Sequence, residues 1–469
     1  LFGALLRFYH LGYRSLWFDE AVMYWNTLGT LLDVVNQNAV RNSAPPLYPF
    51  LLHFVSRLGE SEAVLRSPAF VAGVAAIPAM YLLASQFVSP NVALLCSLLA
   101  AIASPQIRYS QQAREYSIAF LLAILMLWAF VRFLDEPRWR NALMVALFFV
   151  LGIFTQYGLA LLVLGLNLVL VFNLVGKVDR KPLLAKWTAS QILVAGAALV
   201  VYQVSLKSQM QFGQPFGGGG VTPYLADGYW IDGSLRSLAK LGINNTLDIL
   251  TFAYGPLFLL LFAIGVGFLF GLTSGYGRRA ILMFFVPMAC TFVAAAAQLY
   301  PYRGARQDIF LTPMIYVMAG FGVEYLLRID KRRIAAYTLA LVLIFAGLFH
   351  SVFFYMTQRG PENLRPLVQT LSSSIEPDDR IYVYIGAAPA FRYYYGEDRA
   401  NVTFGERSWC QPSGYTDQLD DILLEPGRVW LVFSHCQCDD CDAITGYASQ
   451  SRQIEMIATE EGVSLYLAR

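Results

Sequence analysis

The chain has 469 residues, of which 57% are hydrophobic and only 14% charged, with a formal net charge of +2. Its mean hydropathy is +0.50; soluble chains carry about 25% charged residues, so an integral membrane protein is expected. The near-neutral balance argues against nucleic acid as a partner.

The first apolar run, residues 1–11, is shorter than the ~20 residues a span needs, and is expected to be the end of a helix that starts before Leu1. Ten further runs are predicted as spans: 64–84, 91–107, 116–134, 141–155, 158–175, 187–206, 250–272, 280–298, 308–327 and 334–356. With the truncated first helix this makes about eleven transmembrane helices. Around Gln156-Tyr157-Gly158 a single turn must separate two of them.

Lysine and arginine set the orientation, because cytoplasmic loops are enriched in them. Arg132/Arg138/Arg140, Lys177/Arg180/Lys181/Lys186, Arg278/Arg279 and Arg328/Lys331/Arg332/Arg333 fall in alternate connections, which are expected to be cytoplasmic. The opposite connections, 12–63, 104–115, 207–249 and 299–307, are then extracytoplasmic, as is everything after about residue 357. The tail is polar and proline-rich, with strand-like runs at 380–385, 428–433 and 462–467 and a helix over 362–375. The expected fold is a polytopic α-helical membrane domain, residues 1–356, followed by an extracytoplasmic α/β domain, residues 357–469.

Cys96 and Cys290 fall in predicted spans and read as packing residues. Cys410, Cys436, Cys438 and Cys441 lie in the tail, where disulfides are the leading expectation outside the cytoplasm. Cys-x-Cys-x-x-Cys spacing leaves a structural zinc as the alternative. Gly217-Gly218-Gly219-Gly220 lacks the strand, helix and lysine of a phosphate loop and reads as a flexible stretch.

The chemistry-bearing residues concentrate in the outer loops. Asp19 and Glu20 follow Trp17 and Phe18, and carboxylates beside a bilayer are costly enough to need a reason. An aromatic-belt position would account for them without function; a catalytic acid is the sharper reading. Residues 19–32 are expected to form one interfacial helix with Val22, Trp25 and Leu28 on a shared face. Pro45-Pro46 stiffens the chain before an apolar run that ends at His53. The second loop gathers Arg108, Tyr109, Gln111, Gln112, Arg114, Glu115 and Tyr116. The loop at 299–307 adds Tyr302, Arg303 and Arg306. Arginine holds phosphate by bidentate, charge-assisted hydrogen bonds, and a lipid phosphate lies at this depth. A rim of snorkelling side chains is the plain alternative. His53 more often packs than reacts in such a setting, and His10, His350 and His435 carry no usable signal.

Trp17-x-Asp19-Glu20, Pro45-Pro46-Leu47-Tyr48 with Leu51-Leu52-His53, and Ser110-Gln111-x-Ala113-Arg114-x-Tyr116, in that order, resemble the C-type glycosyltransferase superfamily. The similarity is to the branch of protein O-mannosyltransferases, aminoarabinose lipid A transferases and related lipopolysaccharide sugar transferases, and it covers roughly residues 1–356. The resemblance implies transfer of a sugar from a polyprenyl-phosphate donor to an acceptor hydroxyl on the outer face, usually with inversion. It implies Asp19 as general base, with Glu20 supporting it or binding the acceptor. Arg108, Arg114, Arg303 and Arg306, with Glu115, Tyr116 and Tyr302, become candidates for the phosphate and sugar, and His53 a further one.

Two departures qualify the resemblance. Members often have His before the Pro-Pro pair, where this chain has Ala44, and Glu before Ala-Arg, where it has Gln112. Losing both weakens the case for a divalent metal, and Glu115 sits about 300° round a helix from position 112. Two alternatives therefore stay open: a catalytically inactive subunit of a larger membrane complex and, behind it, a transporter. The acceptor is left as a lipid, a glycan or a protein. The expected location is the inner membrane of a bacterium.

Overall fold

The ten apolar runs fall mainly on helix in the computed structural model, with breaks at Ala103 inside 91–107 and at Gly255 inside 250–272; the structure describes residues 1–174, 181–211, 223–255, 257–273, 275–357, 360–396, 400–406 and 413–469. Lys177, Arg180, the Gly217–220 stretch and Cys410 lie outside the described residues. Among these, six helices are long and apolar enough to cross a membrane: Glu62–Ala84, Tyr116–Asp135, Lys181–Gln211, Gly275–Ala296, Arg306–Leu327 and Asp330–Met356. Counting two bent pairs as one span each makes eight, and Trp139–Thr155 and Gly158–Leu174 are shorter apolar helices. Gln156, in extended conformation, separates those last two. By length and composition the chain is an integral membrane protein.

The residues pack as two compact units, one of 1–9, 27–58 and 66–356, the other of 10–26, 59–65 and 357–469. The compositional boundary near 357 opens the longest stretch of the second unit. That unit also takes in two short stretches from the first outer loop.

In the first unit, Arg306–Leu327 is buried on every side, over 94% of its apolar window, whereas Lys181–Gln211 and Asp330–Met356 are 22% buried. A helix that is apolar all round is either central or lipid-facing, and these two cases divide accordingly. Gly322 lets the central helix approach Leu257–Gly271, since a Cβ there would strike the Ala263 backbone. Small residues perform this service in membrane bundles, where apolar burial does not drive helices together.

One span is broken by 56° between Pro90–Ile102 and Ser104–Ser110. Pro105 cannot donate to the preceding turn, so the first helix ends with unsatisfied carbonyls. Buried Arg7 supplies donors to Ala101 O at 2.8 Å and Ala100 O at 3.2 Å. Gln111 in turn donates to Arg7 O at 3.1 Å and Tyr9 O at 2.5 Å. The second outer loop is thereby fastened to the short first helix, Phe2–Phe8.

The outer connection 207–249 is not loop throughout. A helix, Leu235–Tyr254, starts at Ser234, whose side chain accepts the Ser237 N–H. Its polar residues Lys240, Asn244, Asn245 and Thr246 mask the apolar period, which explains why the sequence places the helix start at 250.

The second unit is built on a five-stranded sheet of order β2-β1-β3-β5-β4. The strands are β1 (Arg380–Val383), β2 (Val402–Phe404), β3 (Val429–Ser434), β4 (Ile454–Glu460) and β5 (Val463–Ala468). β1 pairs in parallel with β2 and β3, while β5 runs antiparallel to β3 and β4. β3 is buried at all six positions, so it reads as a continuous apolar run, as strands covered on both faces do. The sequence locates β1, β3 and β5; β2 has three residues, and edge strand β4 alternates too weakly to stand out. The helix expected over 362–375 is Leu364–Ser374.

Candidate active site

In the first unit the second outer loop forms a compact cationic and aromatic cluster. Arg114 meets Glu115 side-on, Nε to Oε2 at 3.0 Å and Nη2 to Oε1 at 3.3 Å, and both side chains are buried. The Arg114 guanidinium lies 5.6 Å from the Tyr116 ring centre, and Arg306 approaches the same ring at 5.5 Å. Tyr109 packs edge-on against Tyr116 at 5.2 Å. Two cations thus share one tyrosine, each favoured by the ring's negative face. Arg108 is exposed and rests over Phe354 at 5.4 Å, a different aromatic partner.

The loop at 299–307 is fixed by backbone contacts. Tyr302 N–H donates to Gly228 O at 2.9 Å, and Asn245 donates to Tyr302 O. The Tyr302 hydroxyl is 2.6 Å from Thr246 Oγ1. Burial pushes the Tyr302 phenol up to about 12, so it stays protonated in neutral solution; the Thr246 contact works against burial and Asp308 adds to it. Arg303 N–H donates to buried Asp308 at 2.8 Å. Arg306 of this loop joins the Arg114 cluster through the Tyr116 ring.

The Pro-Pro segment is held by a buried amide network. Asn38 donates to Ala44 O at 3.2 Å and to Ser205 at 3.1 Å, and Gln209 donates to Ala44 O at 3.1 Å. Tyr157 donates to Gln209 at 2.7 Å, beside a π-helical turn over Tyr202–Leu206. Buried His53 donates from Nδ1 to Thr27 O at 2.8 Å, which leaves Nε2 as its acceptor nitrogen, buried without a hydrogen-bond partner.

Position 44 thus offers a methyl and an engaged carbonyl, and Gln112 a neutral amide whose Oε1 is buried without a hydrogen-bond partner. Among the described residues no three His, Cys, Asp or Glu side chains gather closely enough to hold a metal ion. The donors at these positions, a methyl and a neutral amide, do not fit a resident divalent ion among the described residues.

Asp19 and Glu20 belong to the second unit. They lie in the first turn of Phe18–Trp25, where carboxylates are favoured by the helix dipole. Glu20 is buried and Asp19 partly exposed. The single interfacial helix expected over 19–32 is not formed: the first helix ends at Trp25, Gly29 sits at φ +88° in the connection, and a second helix begins at Leu31 with a Thr30–Asp33 capping box. Trp25 is also not reserved for lipid, since its Nε1–H donates to Pro389 O at 2.8 Å. Leu16 N–H donates to the Tyr394 hydroxyl at 2.6 Å, and Tyr24 donates to Glu60 at 2.8 Å. Phe18 N–H donates to Glu362 Oε2 at 2.8 Å. Glu362 Oε1 accepts from His435 Nδ1 at 2.6 Å, and the His435 ring stacks on Phe18 at 4.3 Å. Sequence reasoning missed Glu362 and His435, and no motif spacing marks either.

Cys436 and Cys441 form a disulfide with Cα atoms 5.8 Å apart. Cys438 is also disulfide-bonded. Thiols held in disulfides are unavailable as zinc ligands. Next to them, the Tyr384 and Tyr415 hydroxyls donate to one oxygen of buried Asp440, at 2.8 and 2.9 Å.

Comparison with known proteins agrees with this architecture. Residues 43–205 match the family described as dolichyl-phosphate-mannose-protein mannosyltransferase. No curated protein matches the sequence. Among solved structures, ArnT from Cupriavidus metallidurans in the apo state is similar at a TM-score of 0.61 and 11% identity, over 99% of this chain and 96% of that one. The same protein bound to undecaprenyl phosphate gives 0.54 and 11%, over 99% and 96%. The oligosaccharyltransferase AglB from Archaeoglobus fulgidus, in complex with an inhibitory peptide and a dolichol-phosphate, gives 0.54 and 11%, over 99% and 73%. Residues 43–205 are thus similar to that mannosyltransferase family, and the chain, an integral membrane protein, shares the fold of ArnT.

Proposed function

We propose that this protein transfers a sugar from a polyprenyl-phosphate donor to an acceptor hydroxyl, with inversion, on the extracytoplasmic side of a bacterial inner membrane. The observation that carries the reading is the Arg114–Tyr116–Arg306 cluster, which brings two guanidiniums to one ring, a pairing suited to a phosphate. The lipid phosphates bound by ArnT and AglB support the donor class. The distribution of Lys and Arg supports the orientation.

In this reading Arg114 and Arg306 neutralise the charge that grows on the departing phosphate, the usual source of rate in such sites. Arg303 and Arg108 extend the cationic rim, and the protonated Tyr302 hydroxyl is suited to a sugar oxygen. Asp19, the more exposed carboxylate of its pair, takes the acceptor's proton as the acceptor oxygen bonds to the anomeric carbon. The bond from that carbon to the phosphate oxygen breaks, and polyprenyl phosphate leaves with the electron pair. Glu20, being buried, supports Asp19. His53, with Nδ1 committed to Thr27, serves the packing of its loop. The sugar is a hexose or pentose unit, and the product belongs to a cell-envelope glycan, a glycolipid or a glycoprotein.

The test is release of polyprenyl phosphate by purified protein in lipid, with a panel of polyprenyl-phosphate sugars, for wild type and Asp19→Asn. Release that depends on Asp19 is expected. Donor binding without release for any donor would favour the second reading, a non-catalytic subunit of a membrane complex. Ala44 and the unsatisfied Gln112 oxygen favour that reading.

A further inference from the structure

We propose that Glu362 and His435 are positioning residues for the proposed transfer, holding the Asp19 helix by its first residue. This rests on the reading of Asp19 given above. The helix Phe18–Trp25 has no cap of its own, since Trp17 at the N-cap position makes no side-chain hydrogen bond to it. An uncapped helix start leaves N–H groups unsatisfied. Glu362, 344 residues further along the chain, accepts the N–H of Phe18. Its other oxygen accepts from His435 Nδ1. The imidazole then lies flat on the Phe18 ring, with planes 8° apart, and the Trp17 ring is 6.5 Å away. Gln437 Nε2 lies 3.3 Å from His435 Nε2, so both ring nitrogens are engaged.

His435 is itself held rigidly. It follows the last residue of β3 and sits at φ +54°, with Cys438 and Asp439 also left-handed at +49° and +61°. Such conformations persist only where the surroundings over-determine them, and they cluster at functional sites. Here the Cys436–Cys441 bridge closes the turn, and Asp440 is anchored by two tyrosines. The carboxyl ends of parallel strands are where open α/β sheets take ligands. In this unit, the carboxyl end of β3 takes the chain's own acidic segment.

Asp19 is one residue beyond Phe18, so a shift of the Phe18 N–H carries the Asp19 carboxylate with it. A general base must stay within hydrogen-bond reach of its proton, and a 1 Å misplacement can cost about 10²-fold in rate. The pair therefore acts through Asp19 and touches no substrate.

The experiment combines amide hydrogen exchange over residues 16–25 with steady-state release of polyprenyl phosphate, on the full chain in lipid. Glu362→Ala and His435→Ala are expected to speed exchange in that segment and to lower kcat about 10- to 100-fold, with donor KM within about twofold. Glu362→Gln keeps an acceptor and His435→Asn keeps an N–H; both are expected to restore most of the protection and the kcat. Because these two changes are mild, they report even if the alanine variants fold poorly. Unchanged exchange in the alanine variants, or a kcat loss that the conservative variants share in full, overturns the proposal. Faster exchange together with wild-type turnover in Asp19→Asn overturns the Asp19 reading and the catalytic half of this proposal, leaving the hold on the helix.

Discussion

The cationic cluster and the acidic helix are assembled in opposite ways. Arg114, Glu115 and Tyr116 are consecutive, and one further residue, Arg306, completes their group. The acidic helix and the residues leading into it depend on Glu60, Glu362, Pro389, Tyr394 and His435, which come from four separate stretches of chain. The first arrangement is local chemistry at a helix start, and the second is tertiary structure throughout. Damage should therefore spread differently in the two regions.

The largest effect is expected at Asp19. Asp19→Asn should lower turnover about 10²- to 10⁴-fold, the range for removal of a general base, with an unchanged unfolding temperature. Arg306→Ala should follow, with about a 10- to 10³-fold loss in kcat/KM. Arg306→Lys should not restore it, because an ammonium lacks the planar fork. Arg114→Ala sharpens the comparison, since it strips buried Glu115 of its partner. That change should cost about 3–5 kcal/mol of stability, visible in thermal unfolding, and Glu115→Gln in the same chain should recover part of it.

In the α/β unit, Cys436→Ser with Cys441→Ser should cost about 2 kcal/mol by the loop-entropy rule, measured by denaturant unfolding under oxidising conditions. Asp379 provides a pH handle there. Burial opposes its charge, but Arg428, the Glu376 N–H and the Trp430 indole together hold its carboxyl below the ordinary value. A depressed carboxylate contributes stability at neutral pH that is lost as pH falls through the depressed value. Asp379→Asn should accordingly flatten the acid limb of the stability profile, read by thermal unfolding between about pH 3 and 7. The smallest effect is expected for Tyr302→Phe, which removes the Thr246 contact and should cost about 1 kcal/mol.

This contrast also decides what was legible in advance. The spans are legible because membrane burial writes itself as long apolar runs, although the helix breaks at Ala103 and Gly255 leave no mark in them. Arg114, Tyr116 and Arg306 are legible as types in short loops, although their shared ring is not. The start of Leu235–Tyr254 is hidden by its polar face. The partners of the Phe18–Trp25 helix are hidden for a stronger reason: nothing in Glu362 or His435 differs locally from any surface acid or histidine. The segment 19–32 shows the same limit at short range, since a helix end at Trp25 and a left-handed Gly29 divide what composition presents as one helix.

The 344-residue interval between Phe18 and Glu362 has a consequence for how the molecule is made. At about 5–20 residues per second, the segment with Asp19 emerges from the ribosome roughly 20–70 s before the carboxylate that caps it. During that interval its helix start has no cap, and the aromatic ring of Phe18 has no imidazole to lie against. Premature chain termination anywhere before Glu362 would therefore leave the acid present but unmoored.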